Sequence, residues 1–299
     1  MLVIGSRGSQ LALWQSRWVA ARLALLGFET RIEIIHTTGD KITDVPLAKV
    51  GTKGLFTKEI EEALLAKSVD LAVHSLKDMP TELPDGLTLA AIPVREDPRD
   101  AVVGSRIADL PHGAKVGTRS LRRAAQLAQH RPDLRIESIR GNVDTRLRKQ
   151  AEGQFDAIIL AAAGLRRLGW QDKIAEALEP NFMIPAVGQG ALAIETLESG
   201  PGFDAARQMD DAATRSCVTA ERAVLAELGG GCQVPLGAHA TLNDGILTIL
   251  AKVISPTSSA AFEGTVVGPQ SKAAQLGQQL GKQLLEAGAA AILREVYGH

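Results

Sequence analysis

The sequence predicts an α/β protein of two or three domains whose texture changes near its C-terminus. Three observations carry that expectation. The chain has 299 residues, more than one hydrophobic core usually serves. Short apolar runs alternate with longer stretches of helical period, the pattern of α/β units on largely parallel sheets. From residue 236 onward, apolar alternation flanks an Asn243-Asp244-Gly245 turn, which reads as an antiparallel meander.

The elements follow in order. Leu2–Gly5 reads as a strand, and Ser9 as the N-cap of a helix that runs to Leu26 and stops at Gly27. Arg31–Ile35 is a second strand. Residues 37–56, rich in Thr, Gly, Lys and Asp, predict a long mobile loop. A helix over Thr57–Lys67 and strands at Asp70–Ser75 and Leu87–Ile92 complete the first set. The segment Pro93–Arg99 is a linker. The second set has strands at Ala101–Val103, Lys115–Gly117, Arg135–Ile139 and Ala157–Leu160, and helices at Ser120–His130, Val143–Glu152 and Ala163–Leu168. The apolar Ala191–Ile194 is placed to return to the first sheet. A helix over Asp210–Leu228 is broken by Gly229-Gly230-Gly231. The meander comprises Leu236–Thr241, Ile246–Ile254 and Glu263–Val267, and a last helix spans Lys272–Ala287.

Composition narrows the function. Hydrophobic residues make up 45% and charged residues 22%, ordinary for a soluble globular chain. Aromatics are only 3% and the pI is about 6.6, which argues against nucleic-acid binding, since that needs stacking platforms and a basic surface. Two cysteines, Cys217 and Cys232, are too few for a disulfide framework or a cysteine-rich zinc site. No secretory signal is visible, and no apolar run reaches the ~18 residues of a membrane span. A reducing, cytoplasmic setting is expected.

Charge is distributed unevenly. Thirteen of the 21 arginines fall between Arg95 and Arg167, a stretch with 15 Lys+Arg against 9 Asp+Glu in a chain of net charge −1. Several sit at expected helix N-termini: Arg119, Arg122 and Arg123 after Gly117-Thr118, and Arg140 and Arg146 around Gly141-Asn142. Guanidinium forks bind carboxylate or phosphate in pairs of hydrogen bonds, and helix N-termini add unpaired N–H groups. The pattern points to a small polyanionic ligand, against the alternative of a solvated basic face. Ser6-Arg7 and Gly164-Leu165-Arg166-Arg167 repeat the theme at equivalent strand ends. No Walker A loop is present, so nucleotide binding lacks support. Lys49 and Lys53 flank Gly51 in the long loop, free either to close over an anion or to stay solvated.

Two further segments carry chemistry. Asp78 ends Val73-His74-Ser75-Leu76-Lys77-Asp78-Met79-Pro80, a strand entering a Pro-closed turn. Ligands gather at the carboxyl ends of strands in open α/β sheets, so Asp78, Lys77 and Ser75 would face a cleft. There Asp78 could hold a cationic intermediate or pass protons; an Asx-turn satisfying local N–H groups is the competing reading. His74 alternates inward and reads as structural. Cys232 follows three glycines, where a thiol is exposed and adjustable for covalent work; a small residue buried at a turn is equally compatible with the local sequence. Cys217 sits mid-helix and reads as buried. No residue set has metal-ligand spacing, and no Gly-x-Ser-x-Gly elbow occurs.

The chain resembles the porphobilinogen deaminase (hydroxymethylbilane synthase) family. The residues that carry the resemblance are Ser6-Arg7 with Leu11–Gln15, Lys49–Phe56, Val73–Asp78, Arg95–Asp100, Arg140-Gly141-Asn142, Pro185–Gly190 and Gly230–Pro235. It extends from about residue 3 to the C-terminus. The resemblance implies two lobes like those of periplasmic binding proteins plus a small α+β domain with an antiparallel three-stranded sheet. The first lobe would comprise 1–94 with 190–208, the second 97–187, and the third domain 211–299. It further implies a monomeric cytoplasmic transferase of porphyrin and heme biosynthesis, with no metal, nucleic-acid or membrane partner. A dipyrromethane cofactor, one per chain, would be joined to Cys232 through a thioether. Four porphobilinogens would be added in turn, each losing ammonia, before the linear tetrapyrrole is hydrolysed off.

The same resemblance distributes roles. Asp78 would stabilise the azafulvene and relay protons. Lys77, Ser75, Thr118, Ser120, Arg122, Arg123, Arg140 and Arg146 would hold the cofactor; Arg7, Ser9, Arg167 and Gln189 would hold substrate; Lys49 and Lys53 would belong to the mobile loop. Arg119 departs from the family pattern, which places a small hydroxyl residue between Thr118 and Ser120, and it is left out of the site. Two other classes compete: a solute-binding protein, which has no use for a thiol on a Gly-rich loop, and a cysteine-nucleophile enzyme, which needs a general-base histidine near that thiol. His239 is the nearest in sequence, on an expected strand.

Overall fold

The structure, a computed structural model, describes residues 1–38, 57–230 and 234–297. Two compact units are present, Met1–Glu96 with Ala191–Arg215 and Asp97–Gly190 with Ser216–His299. In chain order the first unit supplies β1 (Leu2–Ser6), β2 (Thr30–Ile34), β3 (Leu71–Ser75) and β4 (Leu87–Ala91). The second supplies β5 (Asp100–Gly104), β6 (Lys115–Gly117), β7 (Arg135–Glu137), β8 (Ala157–Ala161) and β9 (Ile174–Leu178). The chain returns to the first unit for β10 (Leu192–Leu197) and ends in the second with β11 (Leu236–Asn243), β12 (Ile246–Ile254) and β13 (Ala261–Pro269).

The first sheet has the order β2-β1-β3-β10-β4 and the second β7-β6-β8-β5-β9. In each, three strands pair in parallel, and the fourth strand in the order, β10 or β5, runs antiparallel to both of its neighbours. The expected return of Ala191–Ile194 to the first sheet is seen as β10. The expectation of largely parallel sheets holds, with four strands of each sheet running one way and β10 or β5 against them. β9 was not expected: Ile-Ala-Glu-Ala-Leu is made of good helix formers, yet its pairing with β5 decides its state.

Register makes the two sheets match residue by residue. Gly5 pairs with Ala72 and Gly117 with Ile158, in each case the second residue of the neighbouring strand. Ser75 faces Leu192 and Ala161 faces Asp100. Both antiparallel strands shift register after their third residue, between Ile194 and Glu195 and between Val102 and Val103. Gly5 therefore corresponds to Gly117, Ser6 to Thr118, Arg7 to Arg119, and Leu192 to Asp100.

Alternation along the strands sends side chains to two cores per sheet. Leu71 and Val73 join Ile4, Val19, Leu23 and Ile194 on one face, while Ala72 joins Ile60, Leu64 and Val69 on the other. In the second sheet, Val102, Val116 and Ile159 pack with Leu127, and Ala101, Val103 and Ile158 with Leu147 and Leu165. Each such fully buried aliphatic side chain is worth about 1.5–3 kcal/mol. The helix Gln10–Leu25 starts where Ser9 Oγ accepts from Ala12 N. It ends in a Schellman arrangement: Gly27, at φ 86°, donates to Ala24 O, and Phe28 N donates to Leu23 O.

The C-terminal residues of the second unit build their own sheet, β11-β12-β13, antiparallel throughout. Asp244 and Gly245 both have positive φ, 48° and 75°, as a two-residue type I′ hairpin requires. Helices Ala212–Glu227 and Ala273–Leu284 contribute Cys217, Val224, Leu276 and Leu280 to its core. They approach closely because Gly277 lacks a side chain; a Cβ there would lie 2.2 Å from Ala220 O. The last helix, expected to end at Ala287, bends at Gly288 (φ 120°), and a further, unexpected helix follows at Ala290–Tyr297.

Candidate functional site

In the first unit the sequence-predicted residues collect at the carboxyl ends of β1 and β3. Arg7 follows β1 and Ser9 caps the next helix. Ser75 ends β3, and Leu76–Asp78 form one 3₁₀ turn. Buried Leu76 and Met79 anchor this turn, with Leu76 N donating to Ala191 O and Met79 N to Leu76 O. Lys77 is half-buried and Asp78 exposed. The Asp78 carboxylate accepts no hydrogen bond from a described residue, so it does not serve as an Asx-turn cap. Gln15, which sequence reasoning passed over, is buried and donates from Nε2 to Ser75 Oγ at 2.8 Å.

His74 is buried beneath the same strand end, its Nε2 3.0 Å from Glu195 Oε2, in keeping with its structural reading. Glu61 is buried nearby, and its carboxyl pKa is raised: burial is the largest cause, opposed by a Thr57 hydrogen bond and reinforced by the Glu195 charge.

The second unit carries the arginines, and they divide into two sets. Arg122 and Arg123 are 3% and 6% exposed and converge on Asp100, which is fully buried. Arg122 Nη1 and Nη2 donate to the two Asp100 oxygens at 2.7 and 3.2 Å, and Arg123 Nε donates to Oδ1 at 2.8 Å. Gln189, also fully buried, donates from Nε2 to the same oxygen at 2.9 Å and to Pro98 O at 2.7 Å. Burial alone would raise the Asp100 pKa, but the two guanidinium groups hold it well below the carboxylate range. Arg122 Nε is buried and has no partner among the described residues. Asp100 was missed as a site residue; its signal was a charged residue opening the apolar run Ala101-Val102-Val103.

Arg119 and Arg146 form the other set. Arg119 is exposed and Arg146 half-buried. Neither has an acidic partner among the described residues; Arg146 Nε donates to Gly141 O at 2.7 Å. The Arg146 pKa is pushed down to about 10 by burial, then by the Arg123 and Arg119 guanidinium groups. Arg119 is lowered by burial and by Arg140. Like charges are thus held together, the arrangement an anionic ligand would relieve.

Hydroxyls line the same strand end. Thr118 Oγ1 accepts from Ser120 N at 3.2 Å, and Ser120 Oγ accepts from Arg123 N as the N-cap of Leu121–His130. As acceptors both serve the backbone, which leaves each O–H available to donate. The adjacent arginines of the helix Ala162–Arg167 diverge. Arg166 is exposed and pairs with Asp97 at 3.1 Å, whereas Arg167 is buried and donates to Gly190 O at 2.6 Å. Arg140 is half-buried, its carbonyl accepting from Lys149 Nζ.

Cys232, Lys49 and Lys53 lie outside the described residues. The helix preceding the Cys232 segment carries Glu221, fully buried, whose oxygens accept from Gly188 N at 2.7 Å and Ala240 N at 2.8 Å. His239 on β11 lies 3.5 Å from this carboxylate. Among the described residues no group of His, Cys, Asp and Glu could hold a metal ion, and no helix is long and apolar enough to cross a membrane.

A polyanionic pyrrole cofactor fits this residue set. Among the described residues the buried Arg122 Nε has no acceptor and the half-buried Arg146 no carboxylate, so both are donors in want of one.

Comparison with known proteins agrees. A family model described as "Porphobilinogen deaminase, dipyromethane cofactor binding domain" matches residues 2–203, and "Porphobilinogen deaminase, C-terminal domain" matches residues 215–286. A porphobilinogen deaminase from Syntrophobacter fumaroxidans is 52% identical over 98% of this chain and 97% of its own length. One from Brevibacillus brevis is 51% identical over 98% and 96%. Among solved structures, a periplasmic substrate-binding protein of an ABC transporter from Coxiella burnetii aligns with 70% of this chain and 91% of its own, at 14% identity and a TM-score of 0.45.

Proposed function

The chain belongs to the porphobilinogen deaminase family, and from that membership we propose that it joins four porphobilinogen molecules head to tail and releases the linear tetrapyrrole. It is in this reading a transferase of porphyrin and heme biosynthesis. Each condensation expels ammonia from the aminomethyl carbon of one porphobilinogen. That carbon bonds to the free α-carbon of the preceding ring, which gives up its proton. At release, water supplies the hydroxyl of the terminal hydroxymethyl group and the proton that returns to the pyrrole α-carbon from which the product is cut.

The dipyrromethane, when bound, supplies the pyrrole α-carbon on which the first addition is made. Cys232 is its proposed point of attachment, through a thioether, with one cofactor per chain. The arginine cluster is the observation that carries the reading. Around one buried carboxylate, Asp100, stand Arg122 and Arg123, with Arg119 and Arg146 lacking acidic partners among the described residues. Every pyrrole unit brings an acetate and a propionate, and guanidinium forks bind such groups bidentately. Arg140 and Arg146 hold cofactor carboxylates, and Thr118, Ser120, Ser75 and Lys77 donate to them. Arg122 and Arg123, fixed on Asp100 with Gln189, present their remaining donors from a rigid base. Arg7, Ser9 and Arg167 bind the substrate's carboxylates, and Lys49 and Lys53 add positive charge for the same ligand.

Asp78 is the proposed catalytic residue. Its exposed carboxylate, with no hydrogen bond from a described residue, accepts from pyrrole N–H groups. It thereby stabilises positive charge on the substrate ring and takes up the proton lost from the α-carbon. The parts of the reading are 1–94 with 190–208, 97–187 and 211–299, acting as a cytoplasmic monomer. Purified protein given porphobilinogen should release four ammonia molecules per tetrapyrrole. Porphobilinogen consumed without ammonia, or not consumed at all, would exclude this function.

A further inference from the structure

The matched register of the two sheets has a consequence for Arg119. Ile4 and Gly5 of β1 pair with Leu71 and Ala72 at the start of β3; Val116 and Gly117 of β6 pair with Ala157 and Ile158 at the start of β8. Counting onward, Ser6 matches Thr118 and Arg7 matches Arg119. Both pairs then enter a helix through a serine N-cap, Ser9 for Gln10–Leu25 and Ser120 for Leu121–His130, each accepting from the N–H three residues on. Both turns follow a glycine whose Cβ would crowd the sheet: 3.2 Å from Ile35 Cδ1 at Gly5, and 3.0 Å from Phe155 Cδ1 at Gly117. Each unit thus ends its first parallel strand with glycine, hydroxyl, arginine, and then a capped helix.

Arg119 differs from its neighbours Arg122 and Arg123 in how it is held. Those two are buried and tied to Asp100. Arg119 is exposed and has no acidic partner among the described residues. It also lies near enough to Arg140 and Arg146 for the charges to repel. An exposed guanidinium beside other cations, at the mouth of a helix N-terminus, has a carboxylate as its natural counterion.

We propose that Arg119 is a further carboxylate-binding residue, the second unit's counterpart of Arg7, and that it engages a side-chain carboxylate of the growing pyrrole chain rather than the primer. Its exposure sets the target: the arginines assigned to the primer, Arg122, Arg123, Arg140 and Arg146, are all buried or half-buried, whereas Arg119 is exposed, and the growing chain adds carboxylates that need further cationic positions. The proposal rests on the reading of Arg7 as a substrate-carboxylate residue.

Primer-loaded protein carrying Arg119→Ser, and separately Arg119→Lys, is assayed with porphobilinogen across a range of salt concentration. Arg7→Ser is the comparison. The expected result for Arg119→Ser is a KM raised about three- to tenfold with kcat within about twofold, as for one partly solvated charge-assisted hydrogen bond. The rise of KM with salt becomes shallower. Arg119→Lys recovers part of the loss, because it restores the charge but not the fork. The intact mass of primer-loaded protein is unchanged. An unaltered KM in Arg119→Ser alongside a raised KM in Arg7→Ser would overturn the proposal and leave the wider function standing. Unaltered KM in both would remove the strand-end arginines from substrate binding altogether. Loss of the primer mass in Arg119→Ser would place Arg119 on the primer and equally overturn the proposal.

Discussion

Replacing Asp100 by asparagine tests whether the arginine pair is held by one buried charge. Asp100 Oδ1 accepts from Arg122 Nη2, Arg123 Nε and Gln189 Nε2, while Oδ2 accepts from Arg122 Nη1 at 2.7 Å. An asparagine keeps one acceptor oxygen and turns its NH₂ toward another set of donors. Two guanidinium groups, 3% and 6% exposed, then share no negative charge. Removing one member of a buried ion cluster costs about 3–5 kcal/mol, because the remaining charges stay desolvated. For a unit of this size about 2–4 °C accompanies each kcal/mol, so the melting temperature of Asp100→Asn should fall by about 6–20 °C. The pH dependence supplies a second readout. The folded-state pKa of Asp100 is depressed, so its contribution is complete above the unfolded value of about 3.9 and disappears as pH falls toward the folded value. The parent's advantage over Asp100→Asn should therefore begin to shrink below about pH 4 and keep shrinking toward lower pH. Thermal melts of both proteins between pH 3 and pH 8 measure this. A fall of less than about 2 °C at pH 7 would refute the view that Asp100 anchors Arg122 and Arg123.

Two other predictions concern the first unit. Asp78→Asn should lower kcat by about 10²–10⁴-fold, the range for a group that moves protons in the transition state, with a stability change within about 0.5 kcal/mol because the side chain is exposed. A near-parental rate would remove Asp78 from the chemistry. Glu61→Gln should raise the melting temperature at pH 7–8, because burial raises the Glu61 pKa and its ionised form opposes folding above the unfolded value. The difference should close near pH 4, where both states carry the proton; a constant difference across that range would contradict the assignment.

Much of this architecture was legible because burial writes itself into local pattern. Runs such as Leu71–Val73 and Ala157–Leu160 are apolar on both faces, as strands covered on both sides must be. The cap at Ser9, the helix start at Ser120 and the Asp244-Gly245 turn are local backbone chemistry and were readable for that reason. Relations that depend on strand order were not readable. The antiparallel insertion of β10 and β5 joins residues far apart in sequence, and β9 takes its state from a neighbour rather than from its own propensities. The fate of the arginines was hidden for the same reason. Arg122 and Arg123 look like surface cations until β5 brings Asp100 beneath them, with Gln189 arriving from 89 residues away. Of two adjacent arginines, Arg166 turns to Asp97 and Arg167 inward to Gly190 O, a choice set by the buried and exposed sides of one short helix.

The central claim is that this chain builds its product on a primer covalently held by Cys232. The intact mass of the purified protein beside its Cys232→Ser variant, each measured before and after incubation with porphobilinogen, tests it directly. The account predicts an increment of two linked pyrrole units on the parent and none on the variant. An increment retained by the variant would contradict the attachment point, and a bare polypeptide mass in both after incubation would contradict the primer itself.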